Sequence, residues 1–321
     1  MQAAMTTTRK EKQPIVLDEK AKKQGLVLDV VLAIDPKLWK FSGQYVGVLT
    51  GFYAIKVKCT SWLKDRKWLE QDWRKVDSIV DLFAAETATA GLPRDAVPER
   101  HQGLANEIIS KFTSSRLRTE FVTLSNKVLI SFDNIVGGIC RGWLNDSPVD
   151  FCLETLARSV GKCHVLSSLT WAIGWPSLPK TALAATKFII HPVNLHADHW
   201  GVIILRLRYT AKTSKLRVHG YMYEPLIDDD YHHEMEIVWT GIPKDKENEG
   251  KEGLRGYVER WHKASDPRGH LFFDPIEWIC APQQPDFASC GVMVVAQAHS
   301  YLTGSLQMQL SRISKNDVKV M

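Results

Sequence analysis

Apolar positions are unevenly spread along this chain, and their spacing predicts most of its elements. Residues 1–24 are polar with mixed charge and read as a flexible tail. Leu26 to Ile34 is a dense apolar run that suits a strand or a buried helix. Between Ser61 and Ala85, Trp62, Trp68, Leu69, Trp73, Val76, Val80 and Phe83 recur three or four apart, which is helical periodicity. Gly91 to Gly103, with Pro93 and Pro98, reads as a linker, and Leu104 to Phe112 as a second short helix.

The second half is more explicit. Val149, Cys152, Leu153, Leu156, Ala157 and Val160 predict a helix capped by Ser147, with Pro148 in its first turn and Asp150 closing a box-like cap. Phe188 to Ile190 predicts a short strand ending at His191-Pro192. Trp200 to Tyr209 and Leu216 to Glu224 are strands joined by the polar stretch Thr210 to Lys215, a hairpin. Pro243 to Gly256 mixes charges and glycines as a solvated loop does, Asp228 to Asp230 reads as an exposed turn, and Glu277 to Ala281 as a further strand. Cys290 to Leu302 reads as a buried helix stopped by Gly304. Helix, strands, then helix is an α+β order.

Composition narrows the class. The 321 residues are 45% hydrophobic and 24% charged, as in ordinary globular proteins. No apolar run approaches the roughly 20 residues that span a bilayer, and the N-terminus lacks the apolar core of a secretory signal. Forty-one basic against 36 acidic side chains give +5, too mild and dispersed to imply nucleic acid. Six cysteines without close pairing argue for free thiols in a reducing, intracellular setting, nucleus or cytoplasm. Cys59, Cys140, Cys152, Cys163 and Cys280 read as packing residues.

Four positions carry chemistry. A hairpin centred between Lys212 and Thr213 puts position 226 opposite 199, so His199 falls beside Glu224. A carboxylate next to an imidazole fixes its tautomer, as a nucleophile's general base requires. Cys290 begins a helix, where unpaired N–H groups and the dipole favour thiolate. Gly291 admits a substrate backbone, and Gln284, in the preceding loop, offers an amide to an oxyanion. His191, His196, His199 and Asp198, or His232, His233 and Glu234, lack the spacing of a zinc site, so no metal and no cofactor is expected.

Four segments, Trp143-Leu-Asn-Asp146, Ile190-His-Pro-Val-Asn194, His199-Trp200, and Pro282-Gln-Gln-Pro285 with Cys290-Gly291, resemble the ubiquitin-like-protein-specific protease family. These are the SUMO- and NEDD8-deconjugating cysteine proteases, related to adenovirus protease. The resemblance implies a papain-like, adenain-like fold, a central mixed sheet flanked by helices, over residues 122–321. Residues 25–121 are then an accessory, mostly helical region. It also implies His199 as base, Glu224 as its acid, Gln284 in the oxyanion hole and Cys290 as nucleophile. Trp143 and Trp200 would line a channel for a Gly-Gly tail, with Asp146 near the bound ubiquitin-like partner.

The chain departs from the family in having Glu224-Pro225-Leu226 where Asp-Ser-Leu is usual, and Ser289 where an Asp precedes the nucleophile. Asp228 is the fallback acid. Two other functions fit the same residues: a protein acetyltransferase effector using the same triad, and an inactive module that binds a ubiquitin-like protein.

Overall fold

The strand His199–Thr210 is apolar for nearly its whole length because helices cover both of its faces. The computed structural model describes residues 60, 63–73, 96–114, 120–122, 129–131, 133–141, 143–244, 249–304 and 313–321. The chain divides into two units, Met1–Arg66 and Lys67–Met321, and the second holds all that follows. The apolar run at residues 26–34 lies outside the described residues.

In chain order the elements are α1 (Ala96–Ser114), β1 (Glu120–Val122), β2 (Leu129–Ser131), α2 (Asp146–Val160), β3 (Cys163–Val165), β4 (Phe188–Leu195), β5 (His199–Thr210), β6 (Lys215–Tyr223) and α3 (Asp229–Thr240). They continue with β7 (Gly241–Ile242), β8 (Lys251–Glu252), α4 (Leu254–Ser265), β9 (His270–Phe273), β10 (Glu277–Ile279), α5 (Cys290–Thr303) and α6 (Lys315–Val320). The main sheet runs β10-β6-β5-β4-β3, with β9 also paired to β6. It is mixed: β5 is antiparallel to both β4 and β6, while β3, β9 and β10 run parallel to their partners.

Helices α2 and α5 cover one face. Their side chains Val149, Leu153, Met293 and Val294 pack on Ile190, Val202 and Ile204. Helices α3 and α4 cover the other, with Met235, Val238, Tyr257 and Trp261 against Ile189, Ile203 and Leu205. This is the expected central mixed sheet flanked by helices.

Several sequence expectations are corrected. The linker expected up to Gly103 gives way at Ala96 to α1, which tolerates Pro98 because the first turn has no hydrogen bond for its missing N–H to break. The N-cap position of α2 is Asn145 rather than Ser147, and its side chain makes no cap hydrogen bond. Asp150 does not close a cap; its carboxylate accepts the Ser167 hydroxyl at 2.7 Å and the Ser168 N–H at 3.0 Å. Strand β4 runs through Pro192 to Leu195, since β3 borders only Phe188 to Ile190 and leaves an open edge beside the proline. The aspartate run is no loose turn: Asp228 caps α3, accepting from the N–H groups of Asp230 and Tyr231. The expected loop at 243–256 ends at Leu254, where α4 begins.

Candidate active site

The β5–β6 hairpin has the register read from its turn. Thr210 pairs with Lys215 and the ladder ends at Val202–Tyr223. Beyond that pair the strands deliver His199 and Glu224 to the same end of the sheet. His199 Nε2 lies 3.1 Å from Glu224 Oε2, with the two residues 2% and 0% exposed. A carboxylate only accepts, so Nε2 carries the proton and Nδ1 is left as an acceptor.

Glu224 is held from the other side by three backbone N–H groups. Leu226 and Ile227 donate to Oε2 at 2.9 and 3.2 Å, and Asp228 to Oε1 at 2.9 Å. Ile227 takes a positive φ of 58° to close this turn. Asp228, the fallback acid, is occupied by its helix cap, and Glu224 is the carboxylate at the imidazole.

Cys290 is the first residue of α5 and is 1% exposed. Burial pushes its thiol up to about 11, although the backbone N–H groups of Trp200, Gly291 and Cys290 itself favour the thiolate. The expected lowering by the helix start is therefore reversed, because desolvation outweighs those donors. The Trp200 N–H at the sulfur places the thiol against the residue next to His199.

The loop in front of α5 is tied to the acid's segment. Tyr223 donates its hydroxyl to the Pro282 carbonyl at 2.7 Å, after a cis Ala281–Pro282 bond, and the Gln284 N–H donates to Pro225 O at 2.9 Å. The Gln284 side chain has both its amide nitrogen and oxygen buried without a partner. Asp286 organises the last turn: its Oδ1 accepts the N–H groups of Ala288 and Ser289 at 2.9 Å and the Ser289 hydroxyl at 2.7 Å. Burial pushes the Asp286 carboxyl up, but these bonds and Lys315 outweigh it and hold it below its ordinary value.

The remaining expected site residues separate. Trp143 is 40% exposed and Asp146, half-buried, opens α2. Trp200 is 1% exposed and donates its indole N–H to Leu144 O at 2.8 Å, so it packs behind the nucleophile helix rather than facing solvent. Gly291 likewise serves packing: a Cβ there would stand 3.0 Å from Leu144 Cβ and 3.3 Å from Trp200 Cδ1. Cys280, expected to pack, is exposed.

Sequence reasoning missed Tyr231, whose ring lies on that of His199 with centroids 4.6 Å apart and planes at 19°. It also missed Asp286. A signal for Tyr231 exists in the text, because three residues after an Asp N-cap is the first helical turn. The histidines weighed as metal ligands lie apart: His232 stacks on Trp278 at 3.9 Å, and His191 is fully buried beside Trp175. Among the described residues no group of three or more His, Cys, Asp or Glu is placed to hold a metal, and no helix is long and apolar enough to cross a membrane.

No family model matches the chain, and no curated protein matches it. Solved structures do. The chain is similar to the C-terminal Ulp1 protease domain in complex with Smt3, the yeast ortholog of SUMO, at 18% identity and a TM-score of 0.45, over 67% of this chain and 89% of that one. It is similar to a mutant of Xanthomonas XopD at 16% identity and a TM-score of 0.32, over 54% of this chain and 92% of that one. It is also similar to an ASFV protease at 10% identity and a TM-score of 0.34, over 73% of this chain and 83% of that one. Structures similar to this chain also include the SUMO protease Ulp1 with its catalytic cysteine oxidized to a sulfinic acid, at 18% identity and a TM-score of 0.43, over 67% of this chain and 88% of that one.

Proposed function

We propose that this chain is a cysteine peptidase that hydrolyses the bond after the C-terminal Gly-Gly of a ubiquitin-like protein, SUMO-like or NEDD8-like, in a precursor or a conjugate. The observation that carries the reading is the buried His199–Glu224 pair together with Cys290 at a helix start, its sulfur against the N–H of Trp200, the residue after His199. The unpartnered Gln284 amide in the adjoining loop supports it.

In this mechanism His199 Nδ1 takes the proton of Cys290 as its sulfur attacks the carbonyl carbon of the terminal glycine. The sulfur–carbon bond forms and the carbonyl becomes an oxyanion, which accepts hydrogen bonds from the Gln284 amide and the backbone N–H of Cys290. The carbon–nitrogen bond then breaks, and the proton on His199 passes to the leaving amine. Water, deprotonated by the same imidazole, hydrolyses the thioester and returns the thiol. Glu224 holds the imidazolium and does not itself take the proton. No cofactor enters. Trp143 flanks the glycine tail from the exposed side, Trp200 backs it from within, and Asp146 faces the ubiquitin-like partner.

The thiol's high pKa agrees with this order of events. Burial disfavours the thiolate at Cys290, so the thiol needs a base to give up its proton near neutral pH, the role given to His199.

The test is a panel of Gly-Gly-ended ubiquitin-like probes carrying a C-terminal electrophile. Labelling of Cys290 that is lost in Cys290→Ala supports the reading. An intact fold that none of the probes labels would sink it, and labelling by acetyl-CoA instead would mark an acetyltransferase.

A further inference from the structure

One short stretch of chain, Glu224 to Tyr231, surrounds the His199 imidazole on two sides. Its first residue bonds Nε2 in the ring plane, 3.1 Å away. The same carboxylate fixes the turn at Leu226 to Asp228 through three N–H groups. Asp228 then caps α3 by accepting from Asp230 N–H at 2.9 Å and Tyr231 N–H at 3.3 Å. Tyr231, in the first turn of α3, lays its ring on the face of the imidazole, 4.6 Å between centroids and 19° between planes. The position of this ring is therefore set, through two sets of hydrogen bonds, by the acid itself.

The geometry assigns the role to the ring and not to the hydroxyl. The Tyr231 hydroxyl reaches only Asp198 Oδ1, at 3.5 Å on an exposed side. A single hydrogen bond leaves an imidazole free to swing about it. A flat neighbour on its face removes that freedom and leaves Nδ1 aimed along one direction.

We infer that Tyr231 is a positioning residue for His199, its ring holding in one orientation the imidazole that Glu224 bonds in its plane. This rests on the reading of His199 as the base. The charged and titratable groups against the imidazole are Glu224 after β6 and Tyr231 of α3; Asp198 and Asp228 act on the Tyr231 hydroxyl, His196 lies beside its ring and pairs with Glu234, and the Cys290 sulfur meets the N–H of Trp200, the residue after His199.

The experiment is the rate of alkylation of Cys290 by iodoacetamide as a function of pH, followed by mass spectrometry of the Cys290 peptide so that exposed Cys280 does not confuse it. Iodoacetamide needs no ubiquitin-like recognition. The wild type is expected to react near neutral pH, Tyr231→Leu to react about tenfold more slowly there with its profile moved to higher pH, and Tyr231→Phe to restore the wild-type profile. Circular dichroism at the assay temperature checks the fold, and Tyr231→Met replaces the Leu variant if that one does not fold. A Leu or Met variant with the wild-type rate and profile overturns the inference, as does a Phe variant as slow as Leu, which would give the role to the hydroxyl. A wild-type Cys290 that reacts only at high pH overturns it together with the base. Alkylation as expected without labelling by any Gly-Gly probe supports the ring's role and overturns the proposed substrate instead.

Discussion

The indole N–H of Trp200 donates to the carbonyl of Leu144 at 2.8 Å, and this bond joins the strand that carries the base to the segment in front of α2. Both residues lie against Gly291, the position after the nucleophile. The nucleophile helix can approach the sheet this closely because residue 291 has no side chain.

Gly291→Ala is therefore expected to destabilise the fold by about 1–3 kcal/mol, the usual cost of overpacking a tight core. The new methyl would meet Leu144 Cβ at 3.0 Å, Trp200 Cδ1 at 3.3 Å and Val149 Cγ2 at 3.4 Å. Urea unfolding measures this. A variant as stable as the wild type would show that the three neighbours yield freely.

Gln284→Ala separates stability from turnover. Its buried amide has no partner to lose, so the melting temperature is expected to stay within a degree or two of the wild type. If the amide receives an oxyanion, kcat on a Gly-Gly reporter falls about 100-fold with KM little changed. Retained kcat would remove Gln284 from the reaction.

The Cys290 thiol gives a pH prediction for a chain without the proposed base, because none of the causes that set its value is the His199 imidazole. With its pKa pushed up to about 11 by burial, only about one molecule in ten thousand carries thiolate at pH 7. In His199→Ala, alkylation of Cys290 is expected to be very slow at neutral pH and to climb tenfold per pH unit towards that value. A His199→Ala chain that reacts at neutral pH as fast as the wild type would mean that the imidazole does not activate the thiol.

Asp150 makes stability depend on pH. It is 8% exposed, and burial pushes its carboxyl from 3.8 up to about 6, against the hydrogen bonds from Ser167 and Ser168. Between those values the folded chain holds a proton that the unfolded chain has released. Stability is thus expected to be highest below about pH 4 for this group, to fall as pH rises through 6, and to stay level above, a change of about 3 kcal/mol. The slope appears as the difference between wild type and Asp150→Asn in urea unfolding from pH 4 to 7. Parallel curves for the two chains would contradict the assigned burial.

What was legible in the sequence was what is local. The β5–β6 register follows from period-2 alternation around one polar turn, so His199 and Glu224 could be paired without coordinates. Cys290 and Gly304 mark the ends of α5 by their own chemistry. Other features depend on distant chain. Trp200 reads as a channel wall, yet Leu144 and Gly291 bury it. A cysteine at a helix start reads as an easy thiolate until the packing that desolvates it is known. Helix α4 carries its signature in Leu254, Tyr257, Val258 and Trp261, but the charged loop before it and Gly256 within it hide the pattern. Helix α3 was hidden by its aspartates, which read as a turn although acidic residues at a helix start are stabilising.

The hairpin that pairs His199 with Glu224 also sets an order of assembly. The two residues are 25 apart, joined by strands that zip from one turn, whereas Cys290 arrives only with α5, after α3, α4 and four more strands. Contacts that close short loops form before those that close long ones. On the proposed mechanism, the base and its acid are in place before the thiol they serve, and activity is expected only once α5 has docked, so that a nascent copy spares its neighbours until its own fold is complete.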